Sequence, residues 1–142
     1  MTNLETDATA SGAEAPLADL YRPYVASLNA YQFERLDTFV HSDVRINGEQ
    51  GGLAAYRQGL AEVVVAFPDY HWRLDHLLVS GNWLAAKFTD FGTHLGTFLG
   101  VPPSGKTVRT FELAHYRFDH NKITEVWGTG FAQQLLEQVR EP

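Results

Sequence analysis

The sequence predicts an α+β fold in which helices pack on one face of an antiparallel sheet. Up to residue 67 the apolar residues recur with the spacing of amphipathic helices. From residue 70 onward they alternate with polar residues, which is the period of half-buried strands. Helices followed by a run of strands are typical of α+β domains.

Three apolar stripes at helical spacing predict helices over residues 16–28, 33–40 and 53–67. Pro16 suits a first helical position, and Pro68 ends the third stripe. Between the second and third stripes, residues 43–48 predict a brief strand.

The sheet is predicted mainly from two hairpins. The first spans residues 70–92 with its turn at residues 80–82. A loop rich in Gly and Pro leads from it to the second hairpin, residues 108–131, which turns at residues 119–121. Residues 133–140 predict a closing helix.

At 142 residues the chain has the length of one domain. Residues 1–13 are small, polar and acidic without periodicity, so they predict a disordered N-terminal tail. We assign residues 14–142 to a single domain, because no linker or internal repeat interrupts them.

Charge and composition exclude several classes of function. The net charge is -6 and no run of Lys or Arg occurs, so nucleic acid is not an expected partner. No apolar stretch approaches the roughly 18 residues of a membrane span, and no export signal begins the chain. We therefore expect a cytoplasmic protein without a membrane partner. The chain has no cysteine, and His71 and His76 are five positions apart on one strand and so face opposite sides, so no metal site is predicted.

The loop segment GTHLGTFLGVPPSGK at residues 92–106 resembles the SnoaL-like polyketide cyclases and predicted ester cyclases of the nuclear-transport-factor-2-like superfamily. Shorter matches are Asn29-Ala30, residues 66–69, and residues 122–125 before Trp127. Together these matches span nearly everything after the tail.

The resemblance implies a curved antiparallel sheet wrapped around three helices as a cone or barrel with an internal pocket. It also implies a homodimer formed through the outer sheet face, and cofactor-free closure of a polyketide ring through an enolate. The family's acid/base aspartate falls at Gly128, and two assisting positions fall at Ala114 and Val126. None of these three side chains can transfer a proton, so such a reaction would need other residues here.

The even-numbered residues of the first hairpin are apolar apart from His76 and Asp90, so we predict that this face points inward. A three-residue turn would set Trp72 opposite Asp90 and His76 opposite Ala86. Asp90 either works on the substrate or hydrogen-bonds the loop that follows it. His76 is either a second catalytic base or a satisfied histidine of the core or rim.

Glu112 is the catalytic candidate that depends on the second hairpin. A three-residue turn at residues 119–121 would set Glu112 opposite Gly128, in nearly the space of the family's aspartate. In an apolar cavity its pKa would rise, which suits proton abstraction beside a carbonyl near neutral pH. The alternatives are a solvated strand residue, or a residue capped by Arg109 or Arg117 on a sheet edge.

The predicted substrate contacts lie on the inward face or at the mouth of the pocket. Asn29 either caps the first helix or hydrogen-bonds a ligand oxygen, and His94 either stabilises its loop or contacts substrate. The other predicted contacts form a wall for which core packing is the alternative role: Tyr24, Tyr56, Trp72, Phe88, Val126 and Gly128.

We predict a cofactor-free cyclase or isomerase of polyketide or related secondary metabolism, acting by acid/base catalysis on a small hydrophobic carbonyl compound. The alternatives are a noncatalytic protein that binds a small hydrophobic ligand, and a pocket repurposed for hydroxylation or epoxide opening. Each needs a cavity of about 300 to 1,000 Å³.

We also expect a homodimer through the odd-numbered face of the last strands, which would otherwise expose Phe111, Leu113, Trp127 and Phe131.

Overall fold

The computed structural model describes residues 9–128 and 131–141, which form three α-helices and a five-stranded sheet. The predicted α+β class is confirmed. In chain order the elements are α1 (Thr9–Asn29), a 3-10 helix (Phe33–Thr38), β1 (Val40–Ile46), α2 (Gly52–Ala66), β2 (His71–Ser80), β3 (Trp83–Thr93), β4 (Thr107–Asp119), β5 (Lys122–Gly128) and α3 (Phe131–Arg140).

Helix α1 begins at Thr9, earlier than the sequence predicted. Residues 9–13 therefore belong to a helix, and residues 1–8 of the predicted tail lie outside the described residues. The prediction began the helix at Pro16 because the preceding residues are small. Alanines favour a helical backbone without contributing an apolar stripe that a sequence pattern could detect.

The sheet has the strand order β1-β5-β4-β3-β2. Neighbouring strands are antiparallel except for β1 and β5, which are parallel, so the sheet is mixed and not antiparallel throughout as predicted. Alternation along a strand reports which side chains are buried, but it does not report the direction in which a neighbour pairs. For that reason the sequence could not reveal the parallel edge.

The core lies between the inner face of the sheet and the helices. Even-numbered residues of β4 are buried or half-buried along most of its length, and their odd-numbered neighbours are mostly exposed. Helix α1 sets Tyr21 on this face, with ring centroids 4.9 Å from Tyr116 of β4 and 6.5 Å from Phe88 of β3. This aromatic packing positions the walls of the cavity described below.

The register of the first hairpin changes at Asp75. Trp72 pairs with Asp90 as predicted, but His76 pairs with Lys87 because the register shifts between Leu74 and His76. A bulge reverses the faces of the residues that follow it, so the predicted inward position of His76 is wrong. The connection to β3 is also shorter than predicted, because Ser80 already pairs with Trp83.

The carboxylate of Asp75 is held on the outer face beside this bulge. Its oxygens accept hydrogen bonds from Arg73 Nε at 2.9 Å, Lys87 Nζ at 2.6 Å and Thr89 Oγ1 at 2.6 Å. Asp75 keeps the face that it shares with Arg73 in a regular strand, and the bulge adds His76 to the same face.

The second hairpin turns through two residues, His120 and Asn121, which both have positive φ. Such two-residue turns match the right-handed twist of the strands. This turn and a register shift between Arg117 and Phe118 together pair Ala114 with Gly128, so the predicted pairing of Glu112 with Gly128 is wrong. The prediction assumed a three-residue turn in which only Asn121 is left-handed.

No helix within the described ranges is long and apolar enough to cross a membrane. The cytoplasmic location stays a prediction.

Candidate active site

The sheet and the helices α1 and α2 enclose a cavity of about 120 Å³, which we call the inner cavity. Its wall is mostly apolar and aromatic, with one carboxyl group and three tyrosines. The lining residues are Tyr24, Leu28, Ile46, Asn47, Tyr56, Leu60, Trp72, Phe88, Glu112, Ala114, Tyr116, Val126 and Gly128.

A larger hollow of about 580 Å³, which we call the vestibule, adjoins the inner cavity beside α2. Four residues line both spaces: Ile46, Asn47, Tyr56 and Leu60. The outer wall of the vestibule includes Phe98 and Leu99 of the loop between β3 and β4. The inner cavity is thus smaller than the 300 to 1,000 Å³ that the sequence analysis expected, while the vestibule falls within that range.

Glu112 reaches the inner cavity from β4, where it pairs with Phe88 of β3. The alternative of a solvated carboxylate held by Arg109 or Arg117 is therefore wrong. Burial is the main cause that raises the pKa of Glu112 well above its ordinary value, and the hydrogen bond with Asp90 and the charge of Asp90 raise it further.

Asp90 lies directly behind Glu112, on β3, and is completely buried. It does not line the inner cavity. Tyr70 donates a hydrogen bond to its Oδ2 at 3.0 Å. Burial raises the pKa of Asp90 to about 6, although hydrogen bonds from Glu112 and Tyr70 act in the opposite direction. The predicted hydrogen bond from Asp90 to the following loop is not present among the described contacts.

The carboxyl groups of Asp90 and Glu112 interact with each other, and burial raises the pKa of both. Among the described residues, Asp90 Oδ1 and Glu112 Oε1 are buried without a hydrogen-bond partner outside the pair. Two like charges close together in a dry site favour retention of a proton by the pair, and the pKa of Glu112 is raised well above its ordinary value.

Tyr24 and Tyr56 bring two phenol groups to the same cavity. Their hydroxyl groups are hydrogen-bonded to each other. Burial raises the pKa of both phenols, and the charge of Glu112 raises them further. Both tyrosines therefore stay protonated at neutral pH and face the cavity as neutral polar groups.

The three positions to which the resemblance assigns proton-transfer residues lie together in the wall of the inner cavity. Ala114 pairs with Gly128, and both line the inner cavity together with Val126. A Cβ built on Gly128 would lie 3.5 Å from the Ala114 Cβ, which is an ordinary contact. The space for the family's aspartate is thus present, although its side chain is not.

Two further predicted residues stand away from the inner cavity. His76 is exposed on the outer face of the sheet, on the far side from Glu112, and therefore has no part in this site.

Asn29 neither caps α1 nor faces the cavity. Its amide accepts a hydrogen bond from Trp72 N at 2.8 Å and donates one to Trp72 O at 2.9 Å, which clamps α1 to β2.

His94 is completely buried and stabilises its loop, which was one of the two predicted roles. Its Nδ1 accepts a hydrogen bond from Ser104 N at 3.1 Å and lies 2.8 Å from Ser104 Oγ. Its backbone also bonds to Gly105 and Lys106. The predicted substrate contact is wrong for His94 itself, but the loop it holds carries Phe98 and Leu99 of the vestibule.

The sequence analysis placed the other wall residues correctly, since Tyr24, Tyr56, Trp72, Phe88, Val126 and Gly128 line the inner cavity. It missed Tyr116, Tyr70 and Asn47. Tyr116 and Glu112 are both even-numbered residues of β4 and so lie on the same face of the strand, which could have identified Tyr116. Asn47 has φ of 50° and its Oδ1 accepts a hydrogen bond from Gly128 N at 2.9 Å, a role that the Asn-Gly turn signal alone does not reveal.

Within the parts of the chain that the structure describes, no three His, Asp or Glu side chains are grouped so that they could hold a metal ion. The polar groups of the site are therefore two carboxyls and several phenols.

Comparison with known proteins identifies the family. The family model for SnoaL-like polyketide cyclases matches residues 18–139. No curated protein has significant sequence similarity to the chain. A SnoaL-like polyketide cyclase from Agrobacterium tumefaciens is 32% identical, with a TM-score of 0.75, over 87% of this chain and 97% of its own.

Two Streptomyces proteins have the same fold at lower identity. AclR from Streptomyces galilaeus, a proposed hydroxylase, is 23% identical over 91% of this chain and 99% of its own, with a TM-score of 0.80. IdmH from Streptomyces antibioticus, a proposed polyketide cyclase, is 21% identical over 87% of this chain and 97% of its own, with a TM-score of 0.76. Together with the family match over residues 18–139, these similarities establish that the chain belongs to the SnoaL-like polyketide cyclase family, with its nuclear-transport-factor-2-like fold.

Proposed function

We propose that this protein is a cofactor-free cyclase or isomerase that applies acid/base catalysis to a small apolar carbonyl compound of polyketide or related secondary metabolism. The observation that carries the proposal is the Asp90–Glu112 carboxyl pair in the wall of a mostly apolar cavity. Perturbed carboxyls in an enclosed pocket are typical of groups that transfer protons near neutral pH.

Glu112 and Asp90 have different roles in this proposal. Glu112 lines the inner cavity and is the group that touches the substrate, so it is the catalytic residue. Asp90 is completely buried behind it and acts through Glu112, so it is a positioning residue. Tyr70 holds Asp90 in place through its hydroxyl group.

The reaction follows from the single shared proton. Transfer of this proton from Glu112 to Asp90 leaves Glu112 as a carboxylate, which then removes a proton from the carbon beside the carbonyl. The electrons of the broken C–H bond form an enolate, and Glu112 becomes a carboxylic acid. Return of the proton to a different carbon isomerises the compound. Attack of the enolate on a second carbonyl of the same molecule closes a ring, and Glu112 then protonates the new alkoxide.

The exchange of α-protons for deuterium tests this proposal without knowledge of the natural substrate. 2-Tetralone in D₂O is a suitable probe, because its enolate forms by the same proton abstraction, and mass spectrometry follows the deuterium content. We expect the wild-type protein to accelerate exchange, and Glu112→Gln to lower the catalysed rate by roughly 100-fold or more.

His76→Ala is the control variant, because His76 stands on the outer face of the sheet. It should exchange at the wild-type rate. Equal exchange rates for wild-type protein and Glu112→Gln would contradict the proposal.

A noncatalytic ligand-binding protein is the second candidate, and Gly128 favours it because the family's aspartate is missing there. This candidate predicts that 2-tetralone binds while its α-protons exchange at the uncatalysed rate. The hydroxylation alternative has a named structural relative in AclR, whose identity of 23% supports the shared fold alone.

A further inference from the structure

Tyr56 of α2 stands at the junction of the two cavities. It lines the inner cavity together with Glu112, and it also lines the vestibule. Both side chains line a cavity of only about 120 Å³, which brings them close to the same bound group. A molecule that extends from the vestibule into the inner cavity passes this hydroxyl before it reaches Glu112.

The hydrogen bond between Tyr24 and Tyr56 leaves one phenol proton unused. Two hydroxyl groups carry two protons, and one bond between them uses one. Tyr24 is the more deeply buried partner, with 1% of its surface exposed, whereas Tyr56 is half-buried at the cavity junction. Either hydroxyl group can donate in this bond, and among the described residues the buried Tyr24 hydroxyl has only Tyr56 as a hydrogen-bond partner, so Tyr24 can donate while Tyr56 accepts. The O–H of Tyr56 is then available to a ligand.

The sizes of the two spaces limit what can lie beside this O–H. An apolar cavity of about 150 Å³ accommodates one benzene ring. The inner cavity, at about 120 Å³, therefore accepts only a small end of a molecule, while the vestibule, at about 580 Å³, accepts a larger apolar body. A carbonyl oxygen at the boundary meets Tyr56, and the carbon beside the carbonyl lies deeper, toward Glu112.

We propose that Tyr56 is a second catalytic residue, whose O–H donates a hydrogen bond to the carbonyl oxygen of a substrate that places its small reacting end in the inner cavity and its apolar body in the vestibule. This inference rests on the function proposed above. As Glu112 removes the α-proton, negative charge develops on the carbonyl oxygen, and the hydrogen bond from Tyr56 strengthens. The bond to Tyr24 holds the phenol in place during this step.

Infrared spectroscopy of bound 2-tetralone tests the inference. The stretching frequency of its carbonyl falls when the oxygen accepts a hydrogen bond. We expect a lower frequency in the wild-type complex than in an apolar solvent, and we expect Tyr56→Phe to abolish this shift. The variant should bind 2-tetralone roughly three- to tenfold more weakly, which is the scale of one hydrogen bond.

Tyr116→Phe is the matched control, because Tyr116 is a buried phenol in the same cavity wall. It should retain the shift. Retention of the shift in Tyr56→Phe, or its loss in Tyr116→Phe alone, would overturn the assignment of Tyr56.

The two proposals fail in different ways. A shift that depends on Tyr56, without catalysed deuterium exchange, would support Tyr56 as a ligand contact and overturn its catalytic role together with the proposed enzyme. Exchange that depends on Glu112, with a shift unaffected by Tyr56→Phe, would overturn the Tyr56 inference alone. Absence of 2-tetralone binding to the wild-type protein would overturn both.

Discussion

At the scale of single residues, the proposed chemistry depends on two carboxyls that lie on neighbouring strands. Burial raises the pKa of both Asp90 and Glu112, and each acts on the pKa of the other. The resemblance assigns the family's aspartate to the position of Gly128, so the proposed proton transfer starts from a different strand. Burial supplies the raised pKa, and the neighbouring carboxyl supplies a second proton acceptor.

The carboxyl pair should make stability depend on pH. Both groups have raised pKa values in the folded chain, so their contribution to stability is complete below the ordinary carboxyl pKa of about 4 and is lost as the pH rises through about 6 and beyond. We expect Glu112→Gln to gain about 1 to 3 kcal/mol of unfolding free energy relative to wild type between pH 5 and pH 8. Urea denaturation at several pH values measures this difference.

Glu125→Gln provides a matched control for this measurement. Hydrogen bonds from Trp127 and Arg117 lower the pKa of Glu125, so its contribution is lost only on acidification. Its stability difference from wild type should stay constant between pH 5 and pH 8. A wild-type stability that does not fall over this range would contradict the raised pKa values of the pair.

Restoring the family's carboxylate should partly replace Glu112. A Cβ at Gly128 has ordinary contacts of 3.5 Å to Ala114 Cβ and 3.6 Å to Leu113 O, so Gly128→Asp should fold. In the Glu112→Gln background we expect Gly128→Asp to raise the deuterium exchange of 2-tetralone by about tenfold or more. Gln58→Asp adds the same charge at an exposed site on α2 that lines neither the inner cavity nor the vestibule, and it should not restore exchange.

At the scale of elements, strand β2 shows how local contacts override a sequence pattern. It is an edge strand, so its outward backbone groups have no neighbouring strand. The side chain of Asn29 satisfies both backbone groups of Trp72 at this edge. Three residues further on, the bulge at Asp75 turns His76 and Leu78 to the outer face.

The hydrogen bonds between Asn29 and the backbone of Trp72 should contribute to the stability of the fold and not to ligand affinity. We expect Asn29→Leu to lower the unfolding free energy by about 1 to 3 kcal/mol, because the backbone groups of Trp72 lose their partner. Urea denaturation measures the loss. Gln58→Leu, at an exposed site on α2, should change it by about 0.5 kcal/mol or less. An unchanged stability of Asn29→Leu, with weaker binding of 2-tetralone, would restore the ligand-binding role.

At the scale of the whole molecule, the outer sheet face is the region that indicates self-association. Leu78 is 68% exposed, Phe111 51% and Trp127 38%, and a hollow of about 480 Å³ lies between the strands there. Large apolar side chains clustered on one face are typical of protein interfaces. Phe131, which the sequence analysis included, has no described side chain.

We expect a homodimer formed through this face, in which Leu78→Glu places two charges in the interface and produces monomers. Sedimentation velocity at high micromolar concentration measures the change. Val65→Glu is the control, because Val65 is 70% exposed on α2, away from the outer face, and it should leave the dimer intact. A wild-type protein that sediments as a monomer at that concentration would contradict the expectation.

Sequence patterns predicted much of the fold and about half of the site. Residues Trp72, Phe88 and Glu112 were identified because period-two alternation assigns a face to each of them. His76 was placed wrongly because a single bulged residue reverses that alternation without leaving a clear signal. The pairing of Glu112 was wrong because the turn has two residues and not three, and because the register then shifts between Arg117 and Phe118. The sequence does not signal either feature clearly.

The sequence by itself determined the α+β class, the helical stripes, the inward face before the bulge and the family, because these depend on local periodicity and on residue identity. Only the tertiary structure decided the parallel pairing of β1 with β5, the contact between Asp90 and Glu112, and the Tyr24–Tyr56 bond at the mouth of the inner cavity. These features join residues far apart in the chain. Their geometry depends on strand direction, register and helix packing, which are properties of the assembled fold and not of any one segment.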